Sequence, residues 1–199
     1  WKNTLQYLFH HGSNQIQRAV LELAWHQPGI ITDQLLLNSF KEDSELAPIA
    51  ISCAGDRMIP DIAEKVSPFL KSDNPSLSAA AAVGILKQDT NHHESKLILD
   101  SLIESDDTTI LCTTIGFLKQ SGHWISTENK KRFLGHESHD VRNHILAVFK
   151  DSPDSEFLVS IIQNLANVST FDSAKFALKQ YDPSLVTDRF YHFLFAEDS

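Results

Sequence analysis

Cysteine, methionine and cationic side chains are all scarce in this chain of 199 residues, and long apolar runs are missing. The two cysteines, Cys53 and Cys112, lie far apart with no second ligand at metal-site spacing around either, which sets aside a cysteine-built metal motif. Both read as small core residues, and so low a count fits a reducing compartment. The longest strongly apolar stretch, Ala79 to Leu86, is eight residues, against the roughly 20 that a membrane-crossing helix needs. Only 17 lysines and arginines face 26 aspartates and glutamates, a formal net charge of −9. A surface that wraps nucleic acid is therefore not expected, because such affinity rests on many cations neutralising phosphates. No run of alternating apolar and polar residues bounded by hairpin turns occurs, so no sheet is expected. The chain starts at Trp1 with no charged-then-apolar leader, which points to a processed protein or to a segment of a longer one.

What the chain does have is a helical register that returns six times. An apolar or small residue is followed by others four, seven and eight positions on at Ile16/Val20/Leu23/Ala24, Leu46/Ala50/Cys53/Ala54, Leu77/Ala81/Gly84/Ile85, Ile110/Thr114/Phe117/Leu118 and Val141/Ile145/Val148/Phe149, and more weakly at Thr170/Ala174/Ala177/Leu178. The first positions are spaced by 30, 31, 33, 31 and 29 residues. A unit of that length holds two short helices and two turns, and repeats of this kind bury their faces only against their neighbours. The expectation is an all-α chain built as an α-solenoid, a single domain over residues 1–199.

Each unit pairs a first helix, A, with a register-bearing second helix, B. The B helices are expected to open at Asn14, Ser44, Asn74-Pro75, Asp106-Asp107, Ser138 and Ser169, residue types that cap orphan N–H groups or tolerate a first turn. The A helices are expected at 2–10, 33–41, 60–71, 94–104, 127–134 and 155–166, with one more from Pro183 to Phe195. Pro68 should kink or shorten its helix, whereas Pro48 falls in a first turn and is harmless. The longest non-helical connection runs from about Gln120 to Ser126.

The fifth unit, Leu134-Gly-His-Glu-Ser-His-Asp140-Val141-Arg142 followed by Ile145 to Phe149, resembles HEAT-like helical repeats of the phycobilisome-lyase type, whose consensus places Asp-Val-Arg at the start of helix B. The third unit, Leu70 to Leu77 and then four alanines, is a looser version. The resemblance implies a right-handed superhelix of about six two-helix repeats, with B helices lining a concave side, and most often a scaffold. It also implies checks for enzymes among such proteins: bilin lyases, deoxyhypusine hydroxylase and alkyl-purine DNA glycosylases.

Those checks find little. His93-Glu94 and His136-Glu137 lie outside the B-helix positions where a hydroxylase of this kind holds iron, and Asn143-His144 follows Val141-Arg142 instead of His-Glu. A glycosylase needs a cationic groove, which the acidic balance opposes, and Trp25 and Trp124 read as packing residues. The clustered His136, His139 and His144 read as solvated imidazoles without a bistable element to couple to. No nucleophile triad, glycine-rich phosphate loop or paired-carboxylate spacing stands out, so no catalytic residue, metal ligand or cofactor is assigned.

Two features recur with the repeat. Lys119, Lys150 and Lys179 each lie nine positions after the first register residue and Lys87 lies ten after its own. They suit the last turn of a helix electrostatically, and they are candidates for contact with an acidic partner. The pairs Ala79/Val83, Cys112/Gly116, Asn143/Ala147 and Asp172/Phe176 are mostly small, which permits tight stacking or leaves a shallow groove floor. The resulting expectation is a non-catalytic, cytoplasmic module that recognises a protein partner, or another domain of its own chain, through its B-helix side. Lys87, Lys119, Lys150, Lys179, Ala147 and Phe176 are the candidate contact residues; no nucleic acid and no membrane insertion by this segment are expected. The alternatives are a regulatory or packing domain of a multidomain membrane transporter or similar protein, and a HEAT-type lyase or hydroxylase-like enzyme. Apolar residues at the ends, Leu5, Leu8 and Phe9 or Phe190, Phe193, Leu194 and Phe195, are candidates for self-association.

Overall fold

The computed structural model describes residues 1–27, 29–119 and 124–195, and among these all regular structure is helical, with no strand. Part of the connection expected at Gln120 to Ser126 lies outside the described residues, as do the side chains of Phe193, Leu194 and Phe195. The chain divides into two compact units, Trp1–Glu104 and Ser105–Ser199.

The first unit contains α1 (Lys2–His11), α2 (Asn14–His26), α3 (Asp33–Leu37), α4 (Ala47–Asp56), α5 (Ile62–Val66), α6 (Pro75–Leu86) and α7 (His93–Ile103). The B helices α2, α4 and α6 pack in chain order, and α1, α3 and α5 pack on them as A helices. Where a good cap exists, the helix starts where the sequence says. Asn74 Oδ1 accepts from the Ser76 and Leu77 amides at 3.0 and 3.4 Å, and Pro75 fills a first-turn position that needs no N–H.

Three boundaries of this unit, besides the break at Pro68, differ from expectation, each for a local reason. Ser44 does not open α4; its hydroxyl accepts from Leu46 N in a turn, and the helix begins at Ala47 with Pro48 in its first turn. The third A helix begins at Ile62 and not Pro60, because Met58 (φ 51°) and Asp61 (φ 61°) hold left-handed conformations between α4 and α5. It stops at Val66 and tightens into a 3₁₀ segment, Ser67–Lys71. Pro68 has no N–H to give to the Glu64 carbonyl, and the Ser67 hydroxyl donates to that oxygen instead at 3.0 Å. The second A helix ends at Leu37, where the Ser39 hydroxyl takes up the Leu35 carbonyl.

Every residue of α6 from Leu77 to Leu86 is buried, since α4, α5, the 3₁₀ segment and α7 all pack on it. Ala79 and Val83 are therefore core, which fits the tight-stacking alternative for that unit and not the groove floor. Small side chains allow the close approach: a Cβ on Gly55 of α4 would stand 3.0 Å from Gly84 Cα of α6.

The second unit contains α8 (Thr108–Leu118), α9 (Thr127–Leu134), α10 (His139–Asp151), α11 (Leu158–Gln163), α12 (Phe171–Leu178) and α13 (Pro183–Phe195). Here α8, α10 and α12 pack in order, with α9 on α10 and α11 on α12. Asp107 caps α8 through Thr109 N (2.7 Å) and Ile110 N (3.3 Å), and Ser126 caps α9 through Asn129 N (3.1 Å). The A helix expected at 155–166 is α11 flanked by 3₁₀ turns Ser155–Phe157 and Asn164–Ala166. The last B helix starts at Phe171 and not Ser169, because the Thr170 hydroxyl donates to the Asn164 carbonyl at 2.7 Å and ties the preceding turn down. Phe133, Phe149 and Phe157 form the centre of this core, all fully buried.

Candidate functional site

The candidate lysines divide into two kinds. Lys87, just past the end of α6, is only 11% exposed and forms an ion pair with Asp56 Oδ1 at the end of α4. Trp25, near the end of α2, donates its indole N–H to the other oxygen, Asp56 Oδ2. These three residues lie 31 positions apart in succession, so one row of side chains ties the ends of three consecutively packed B helices. Lys87 is thus a structural cation and not a free one. Trp25 is an inter-helix residue, as expected, but its link is polar.

Lys119, Lys150 and Lys179 stand at the ends of α8, α10 and α12, Lys119 half-buried and the other two exposed. The Lys179 ammonium lies 4.7 Å from the centre of the Phe176 ring, and that of Lys175 lies 6.0 Å from Phe171. Phe176 and Phe171 are 53% and 44% exposed, while Ala174 and Ala177 on the same helix are buried. Ala147, on the neighbouring α10, is half-buried. Helix α12 therefore turns an aromatic and cationic face outward, with cation–π contacts holding the ammonium groups over the rings. Phe171 and Lys175 carry no register signal and were not among the expected contacts.

Next to the Trp25–Asp56–Lys87 row is a cleft of about 610 Å³ lined by Trp25, Gly29, Ile31, Thr32, Asp33, Asp56 and Arg57. Arg57 is fixed in its wall: one terminal nitrogen donates to Ile31 O (2.7 Å) and Asp33 Oδ1 (3.3 Å), and the other to Ala24 O (3.2 Å). Burial pushes the nearby Cys53 thiol up to about 11 against the opposing pull of Arg57, and burial also raises Cys112, helped by Asp140. Cys53 is protonated near neutrality and is no nucleophile there. Its raised value means that the folded state holds the proton more tightly than the unfolded one, so its contribution is present below the unfolded value, near 9, and is lost as pH rises to about 11. Urea midpoints measured across that window should fall with pH, and Cys53→Ala should flatten the fall; an unchanged slope would dissociate the thiol from it.

Three histidines serve local backbone geometry. His136 Nδ1 accepts from Ser138 N (3.0 Å), His144 Nδ1 donates to Asp140 O (2.8 Å) and His92 Nδ1 accepts from Ser95 N (3.2 Å). Arg142 of the Asp-Val-Arg motif donates to the carbonyls of His136 and Glu137, so it braces the turn before its own helix. Among the described residues no group of three or more His, Cys, Asp or Glu side chains is arranged to hold a metal ion, and no helix is long and apolar enough to cross a membrane. No protein-family model, curated protein or solved structure matches the chain.

Proposed function

We propose that the protein is a non-catalytic, cytoplasmic recognition module of HEAT-like helix pairs that binds an acidic partner protein through the exposed face of α10 and α12. The observation that carries this reading is the pair of exposed phenylalanines on α12, each beneath a lysine ammonium, with Lys150 exposed on the adjacent helix. Aromatic rings beside cations combine apolar contact area with attraction for carboxylates, and exposed phenylalanine is among the residue types enriched at interfaces. The helix-pair part of the reading is supported by side-chain bonds that recur about one repeat apart: Gln88 Nε2 to Ile59 O (2.7 Å), Asn164 Nδ2 to Leu134 O (3.1 Å) and the row from Trp25 to Lys87.

The experiment is affinity capture from lysate of the source cells with the wild type and a Lys150→Glu/Lys179→Glu variant as bait. Both lysines are exposed, so the fold should survive, and an acidic protein retained by the wild type and lost by the variant is the expected result. Identical captured sets would reject the face. A second reading, a regulatory or packing domain whose partner is another part of its own protein, is favoured by α13. That helix packs on α11 and leaves Phe190 and Tyr191 exposed.

A further inference from the structure

The cleft beside the Trp25–Asp56–Lys87 row has no part in the face proposed above, and its lining points to a different ligand. Its charges balance on paper but not in what they present. The carboxylates of Asp33 and Asp56 are 60% and 25% exposed, whereas the side chains of Arg57 and Lys87 are each 11% exposed and turned to Ile31 O, Ala24 O and the carboxylates themselves. Both Asp56 oxygens are engaged by Lys87 and Trp25, so an incoming group meets the Asp33 carboxylate and the half-buried indole of Trp25. An ammonium of the protein's own already stands at the rim: Lys2 Nζ lies 3.6 Å from where a Cβ added to Gly29, which lines the cleft, would stand.

We propose that this cleft binds an arginine side chain presented by an extended segment of a partner protein. Asp33 has one oxygen on Arg57 at 3.3 Å, and its carboxylate side chain is 60% exposed. A guanidinium stacked on Trp25 reaches it with charge-assisted N–H bonds, and a planar fork suits a carboxylate beside an aromatic wall better than a point-like ammonium does. The volume of about 610 Å³ exceeds one side chain and leaves room for the flanking backbone. The excess of 26 acidic over 17 basic residues steers a basic segment toward the protein.

The test is a titration of the whole chain with N-acetylated, C-amidated Gly-Arg-Gly, followed by the indole N–H resonances of the three tryptophans, with Trp25 assigned from Trp25→Phe. A saturable shift of the Trp25 signal is expected, weaker with Gly-Lys-Gly and absent with Gly-Glu-Gly. Asp33→Asn should weaken binding by about 10-fold. Lys2→Met, which removes the competing ammonium, should tighten it by about 2-fold. No saturable shift with the arginine peptide, an equal response to the glutamate peptide, or an Asp33→Asn variant that binds as the wild type does while retaining its helical circular dichroism, would each overturn the proposal. Equal affinity for the lysine peptide would overturn the guanidinium assignment.

Discussion

Phe149→Ala should lower stability by about 3–5 kcal/mol, the largest effect expected of any single substitution in this protein. Phe149 is fully buried on α10, its ring centre is 5.0 Å from that of Phe157, and the Lys130 ammonium lies within 6 Å of both rings. Truncation removes the transfer free energy of the ring and leaves a cavity that helices α9 and α10 can close only in part. It also withdraws one of the two rings under Lys130, an interaction of about 0.5–1 kcal/mol at a partly exposed site. Denaturant unfolding followed by circular dichroism measures the change. A loss below about 1 kcal/mol would mean that the aromatic cluster is not the centre of the second unit's core.

The second large effect is expected at Asp56. Replacing it by alanine strands the Lys87 ammonium, only 11% exposed, and leaves the Trp25 indole N–H without its acceptor. Orphaning a buried charge costs about 3–5 kcal/mol. Asp56 is 25% exposed and water reaches part of the site, so a loss of about 2–3 kcal/mol is the expected result. The informative comparison is Asp56→Ala with Lys87→Met added. Removing the stranded charge should recover at least half of the loss, whereas additive losses would show that the pair contributes nothing jointly. The exposed Arg18–Glu22 pair, at 3.1 Å on α2, is the control, and Arg18→Ala should cost under about 0.5 kcal/mol.

The legible part of this structure is the part dictated over short range. The α6 and α8 starts follow from Asn74 and Asp107, whose side chains act within three residues, and the break at Pro68 follows from one missing N–H. Pro183 opens α13 as expected. The misread boundaries involve backbone states with little sequence mark: neither left-handed residue is glycine, and Met58, unlike Asp61, is of a type that rarely takes that conformation. Ala79 and Val83 left a groove floor and tight stacking both open, because small residues suit either, and only the packing of α4, α5 and α7 around α6 decides between them.

The surroundings of the candidate lysines were legible only in part. The repeat spacing placed the four lysines at helix ends, yet it could not tell that Lys87 has a carboxylate one repeat upstream while Lys179 has a phenylalanine three residues before it. The signal for the first was present as the equal spacing of Trp25, Asp56 and Lys87. It acquires meaning only once α2, α4 and α6 pack in order. Arg57 was passed over because nothing in its neighbourhood of sequence announces that Ala24, Ile31 and Asp33 will surround it.

The most direct test of the recognition module is the affinity of the captured acidic partner for the wild type, for Phe176→Ala and for Val159→Ala. Val159 is exposed on α11 and Phe176 on α12, and both truncations should leave the fold intact. The account predicts about 10-fold weaker binding for Phe176→Ala, the size expected of a central aromatic contact, and no change for Val159→Ala. Equal affinities for all three proteins would contradict it.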